Sequence, residues 1–127
     1  MLTTKELIEL IASRYLDTSK IADIFEYGRK RGWLEEQDIL FLSIEIERRN
    51  AARIIHEFLR IERGFSEIRD WSNAKKLKDL YDCRVCAKHI ANVVERGIMS
   101  GFENGRFMLL SKVTMEDINL EGMDENG

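Results

Sequence analysis

The sequence of 127 residues carries 20 basic and 23 acidic residues, a formal net charge of −3, with 44% apolar and 34% charged side chains. That balance supplies no strongly basic face for nucleic acid, and the apolar content argues against a disordered chain. No stretch is long and apolar enough to cross a bilayer as a helix, so neither nucleic-acid binding nor membrane insertion is expected. Proline is absent, nothing forces a break inside a helix, and the length fits one all-α domain over 1–127.

Thr3 and Glu6 form a T-x-x-E capping box, and Leu7, Ile8, Ile11 and Tyr15 follow at helical spacing, predicting a first helix to about Leu16. Asp17-Thr18-Ser19 reads as a turn and a fresh N-cap. Ile21, Ile24, Phe25 and Gly28 make one face of a second helix, closed by Arg29, Lys30 and Arg31 before Gly32. Trp33-Leu34 leads into the acidic patch Glu35-Glu36-Gln37-Asp38. The longest helix carries Ile44, Ala51, Ile54, Ile55, Phe58, Leu59 and Ile61 on one stripe. Glu45 and Arg49 are expected to pair on it, His56 to lie on its polar face, and Gly64 to end it.

After a connection over 65–73, a fourth helix is predicted from Ala74 to Gly97, carrying Leu77, Leu80, Tyr81, Cys83, Cys86, Ile90, Val93 and Val94. Gly101 to Phe107 is a turn in which Asn104-Gly105 supplies positive φ. Phe107 to Leu110 reads as a short extended piece, Thr114 and Asp117 as one more cap, and 121–127 as a frayed tail.

Two stretches repeat loosely. Ile21 to Arg48 runs as helix, Gly32, the apolar pair Trp33-Leu34, a polar turn and a new helix opening at Ile46-Glu47-Arg48. Ile90 to Met115 runs as helix, Gly97, the apolar pair Ile98-Met99, a polar turn and the opening Val113-Thr114-Met115. The segment Val94-Glu95-Arg96-Gly97-Ile98-Met99-Ser100-Gly101-Phe102-Glu103-Asn104-Gly105-Arg106-Phe107, followed by Val113-Thr114, resembles the S-layer homology repeat. Leu2-Thr3-Thr4-Lys5-Glu6-Leu7 resembles the same opening a third time. The resemblance implies a compact helical bundle of helix-loop-helix repeats around a pseudo-threefold axis. Its first repeat spans 2–64 with an additional leading helix, and its second spans 65–120.

In function the resemblance implies a non-catalytic module that needs no cofactor and binds anionic cell-wall polysaccharide in grooves between repeats. Arg48 matches the family's polymer-gripping arginine, where free amides and a guanidinium suit the same anion. Thr4 and Met115 hold the equivalent places elsewhere, and Glu47 replaces the capping Thr. Trp33, Gly101, Phe102, Asn104 and Thr114 complete the expected binding set. A second reading is a scaffold with this fold that binds a protein partner instead.

A third reading is a small zinc or thiol protein using Cys83, Cys86 and His89, whose spacing of three places them near one another on a helix. The alternative for the two cysteines is packing as small hydrophobes in the apolar stripe. The N-terminus lacks the basic start and apolar run of a signal peptide. That places the chain in the cytoplasm if it is complete, or at the cell surface if it is a piece of a longer exported protein.

Overall fold

A computed structural model describes residues 1–126. It holds five α-helices joined by short 3-10 turns, with no strands among the described residues. None of its helices is long and apolar enough to cross a membrane.

Helix α1, Thr4–Tyr15, starts at the predicted capping box, with Glu6 N–H donating to Thr3 Oγ1 and Thr3 N–H donating to Glu6 Oε1. It buries Leu7, Ile8, Ile11 and Ala12. Asp17 caps only a 3-10 turn, Thr18–Lys20, and helix α2, Ile24–Arg31, begins later because the Asp23 carboxylate accepts from both the Phe25 and Glu26 amides. The acidic patch, placed in the polar turn of the first repeat, forms a one-turn helix α3, Glu36–Leu40, in which Asp38 accepts from the Glu35 amide.

Helix α4, Arg48–Arg63, is the spine of the fold, with Ala51, Ile54, Ile55, Phe58 and Leu59 buried, and it ends at Gly64 in a left-handed conformation as expected. It begins after Ile44 and Glu45. Glu45 lies in an isolated bridge with Thr3, so the expected Glu45–Arg49 pair does not form, and Arg49 reaches Glu47 at 3.1 Å instead.

The predicted helix from Ala74 is broken into two 3-10 turns, Ala74–Lys76 and Leu80–Asp82, before helix α5, Arg84–Glu95. Tertiary hydrogen bonds pull this segment out of line. The Glu95 carboxylate takes the Asn73 and Ala74 amides, and the Asp79 carboxylate takes the Phe107 and Met108 amides at 2.7 and 2.9 Å. Phe107 to Leu110, expected to be extended, turns at Met108, whose φ is +65°.

The anticipated frayed tail is docked. Met123 is fully buried, Asp124 pairs with Arg14 at 2.9 Å and accepts from the Tyr15 hydroxyl at 2.7 Å, and Asn126 accepts from the Ser66 amide. The last residue of that predicted tail, Gly127, lies outside the described residues.

Two backbone patterns organise the fold. Leu2 N–H donates to Val113 O, Val113 N–H to Ile46 O, and Ile46 N–H to Leu2 O, at 2.8, 3.1 and 2.9 Å, closing a ring of three. The second pattern is a turn that occurs twice. After α2, the Trp33 and Leu34 amides both donate to Gly28 O around Gly32 (φ +97°). After α5, the Ile98 and Met99 amides both donate to Val93 O around Gly97 (φ +71°). In each case the two residues after the glycine are buried apolar side chains, the hydrophobic contact that accompanies such helix ends.

Candidate functional site

Of the six expected binding residues, Arg48 is a buried cation, Phe102 and Thr114 join its network, and Gly101 and Asn104 shape the loop that carries Phe102. Arg48, at the first position of α4, is 1% exposed. Its Nε donates to Phe107 O at 2.8 Å, one Nη donates to Ser100 O, and the other lies 3.3 Å from Asp117 Oδ1. The guanidinium lies over the rings of Phe102 and Phe107, at 4.6 and 4.4 Å from their centroids. Burial pulls its pKa down, and the Asp117 carboxylate opposes that pull. Thr114 belongs to the same network, since its N–H donates to Asp117 Oδ2 at 2.8 Å in a capping box.

Gly101 is needed where it sits, because a Cβ there would come 2.5 Å from Leu77 Cδ2 and 3.2 Å from Arg106 O. Asn104 accepts from the Arg106 amide at 2.9 Å and shapes the loop carrying Phe102, which stays 45% exposed. Trp33 is separate from this group. It is 1% exposed, packs edge-on against Phe58 at 4.9 Å, and donates its indole N–H to Glu62.

A second cluster joins α4 to α5. His56, expected on a polar face, is 4% exposed and opposes the 8% exposed His89. Their Nδ1 atoms are 2.8 Å apart, and His56 Nε2 is 2.9 Å from Glu67 Oε2. An ionised carboxylate only accepts, so His56 carries its proton on Nε2 and accepts at Nδ1 from His89. Asn92 steadies Glu67 through a bond of 3.1 Å. This chain of Glu67, His56 and His89 was missed from sequence, yet it had a signal. His56 stands four residues after Ala52 and three before Leu59, at the edge of the buried stripe.

Burial, followed by the neighbouring His56, pushes His89 down to about 4, and burial lowers His56 as well. Glu57 and Glu67 oppose these shifts, while Lys88 and Arg53 reinforce them. Both rings are therefore neutral in the fold near pH 7. The unfolded chain binds more protons below the ordinary histidine pKa, so the stability from burying neutral rings is complete above about pH 6.5 and is lost as pH falls towards 4. A loss of about 2–3 kcal/mol is expected over that window, read as a falling urea midpoint. A His56→Gln/His89→Gln variant should lose much less over the same window; an equal loss would remove the histidines as its cause.

Cys83 and Cys86 are joined in a disulfide at the start of α5 and pack half-buried against the core, so the expected apolar packing is made by a disulfide and not by free thiols. Because the sulfurs are bonded to each other, the metal set of Cys83, Cys86 and His89 is not assembled. Among the described residues, the metal-capable cluster is His56, Glu57 and His89, within 4.8 Å of one another. The two Nδ1 atoms there already satisfy one another, and Arg60 holds Glu57. The disulfide borders an open cavity of about 530 Å³, lined also by Asp38, Phe41, Ile44, Glu47, Arg49 and Arg53. Arg53 is held there by Asp38 through two hydrogen bonds of 2.9 and 2.7 Å.

Compared with family models, with curated proteins and with solved structures, the chain matches none.

Proposed function

We propose that this protein is a non-catalytic scaffold with an S-layer-homology-like fold, and that it holds a protein partner rather than a cell-wall polymer. The observation that carries the choice is the enclosure of Arg48. The residue matching the family's polymer-gripping arginine spends its donors on Phe107 O, Ser100 O and Asp117, and the equivalent positions hold Thr4 and Met115. At these three matched positions no guanidinium is left for an anionic sugar.

The ring of Leu2, Ile46 and Val113 joins the three stretches that resemble the repeat opening, and the paired turns at Gly32 and Gly97 share one hydrogen-bond pattern. Both support a repeated, pseudo-threefold arrangement. The cavity beside α5 mixes carboxylates (Glu35, Asp38, Glu45, Glu47) with cations (Arg49, Arg53, Lys112). Phe41 and Ile44 are more than half exposed at its wall. Alternating charge beside exposed apolar side chains suits a polypeptide surface better than a polyanion.

Purified protein mixed with cell walls that retain their anionic polysaccharide is expected to stay in the supernatant on sedimentation. A photo-crosslinking residue at Ile44 is expected to trap a discrete protein in cells, and one at Lys20, exposed and outside the cavity, is not. Co-sedimentation that soluble polymer releases would overturn the scaffold reading. So would an Ile44 adduct pattern no different from that of Lys20.

A further inference from the structure

We infer that the Cys83–Cys86 pair is a redox-active disulfide, a site of thiol–disulfide exchange in which Cys83 is the sulfur attacked and, once reduced, the attacking thiolate. This inference is independent of the scaffold reading.

The first argument concerns what the bond is not needed for. It links residues three apart, whose backbones already meet through the Cys86 amide and Cys83 O at 3.2 Å. A loop this short removes less entropy from the unfolded chain than a longer one, so the disulfide is a weak staple. The second argument is access. Both cysteines are half-buried, while Tyr81 and Val85 beside them are 58% and 79% exposed. A thiol partner can therefore reach the sulfurs, and exposed apolar side chains are there to receive it.

The third argument is electrostatic. Cys83 is the N-cap of the 12-residue helix α5, and its side chain makes no cap hydrogen bond. Released as a thiolate, its sulfur would sit by the first-turn amides of Arg84 and Val85, which stabilise negative charge. Cys83 also borders a second cavity of about 520 Å³, shared with Arg49, Arg106, Asp79 and Asp82. Glu47 neutralises Arg49, while the Asp79 carboxylate keeps its charge, although two backbone amides bond it. Arg106 has no carboxylate partner among the described residues, so it is the cation of this cavity that opposes Asp79 and Asp82 beside the sulfur. On the other side of the pair, in the first cavity, Arg53 is held by Asp38 and Glu35, and His89 is neutral near pH 7.

The exchange balances without a further reactant. A partner thiolate attacks Cys83 Sγ, the Sγ–Sγ bond breaks, and Cys86 leaves as a thiolate that takes a proton from water. The partner's second thiol then displaces Cys83 from the mixed disulfide. The partner dithiol is oxidised by two electrons, and the Cys83–Cys86 pair is reduced by two.

The test begins with the native chain in glutathione redox buffers, followed by acid quenching, alkylation and mass measurement. The pair is expected to interconvert while far-UV circular dichroism stays native. In the reduced chain, one cysteine should alkylate with a pKa below that of an ordinary thiol, and Arg106→Gln, at an exposed position, should raise it. Cys86→Ser should form a mixed disulfide with glutathione at Cys83 faster than Cys83→Ser forms one at Cys86. A parallel arm with a peptide dithiol reads the source of the partner: a rate above that of glutathione assigns polypeptide thiols, and a lower rate assigns low-mass thiols. The inference is overturned if the disulfide resists reductant until the chain unfolds, or if both thiols of the reduced chain titrate and react like those of an unstructured peptide.

Discussion

Replacing Arg48 with alanine should cost about 3–5 kcal/mol of folding stability, the range for removing one partner of a buried charge network. The change strips hydrogen bonds from Phe107 O and Ser100 O, and it leaves Asp117 without its cation. It also opens space beside the rings of Phe102 and Phe107, over which the guanidinium now lies. Arg48→Lys is informative beside it. Lysine keeps the charge but lacks the planar fork that reaches two carbonyls and a carboxylate at once, so it should recover only part of the loss. Urea unfolding followed by circular dichroism measures both. A cost below about 1 kcal/mol for alanine would mean the network contributes as little as a surface ion pair.

Trp33→Ala should be similarly severe, about 3–5 kcal/mol, the usual cost of deleting a buried aromatic ring. The ring fills the space between α2 and α4, where it meets Phe58 edge-on and lies so near Gly28 that a Cβ there would come within 2.9 Å of it. Trp33→Phe isolates the polar contribution, because the ring volume is largely kept while the indole N–H to Glu62 is lost. Glu62 would still be held by Arg31 at 2.9 Å and by the Tyr27 hydroxyl at 3.3 Å, so phenylalanine should cost about 1 kcal/mol through that bond. Equal losses for alanine and phenylalanine would show that the hydrogen bond, not the packing, anchors this turn.

Both residues show how far a sequence can be read. Trp33 follows a glycine that ends a helix and precedes another apolar residue, a local pattern that already indicates an inward contact. Arg48 has no such local signal. It opens a helix among charged neighbours, and only the carbonyls of Phe107 and Ser100, more than fifty residues away, turn it inward. His56 is intermediate, since its place at the edge of the apolar stripe hinted at burial but its partners, His89 and Glu67, are distant in sequence.

Local chemistry by itself determined where α1 begins, where α2 and α4 end, and how the loop at Asn104-Gly105 turns, because capping boxes, left-handed glycines and Asx turns are satisfied within a few residues. Helical periodicity likewise marked the apolar stripes of α1, α4 and α5. Only the tertiary structure decided that the chain breaks before Arg84, since the amides freed there are taken by Glu95 and those of the distant loop by Asp79. The same holds for the enclosure of Arg48, the relay between two helices, and the ring through Leu2, Ile46 and Val113. Each depends on backbone donors and acceptors that meet only after the helices pack, and buried polar groups must find partners wherever packing leaves them.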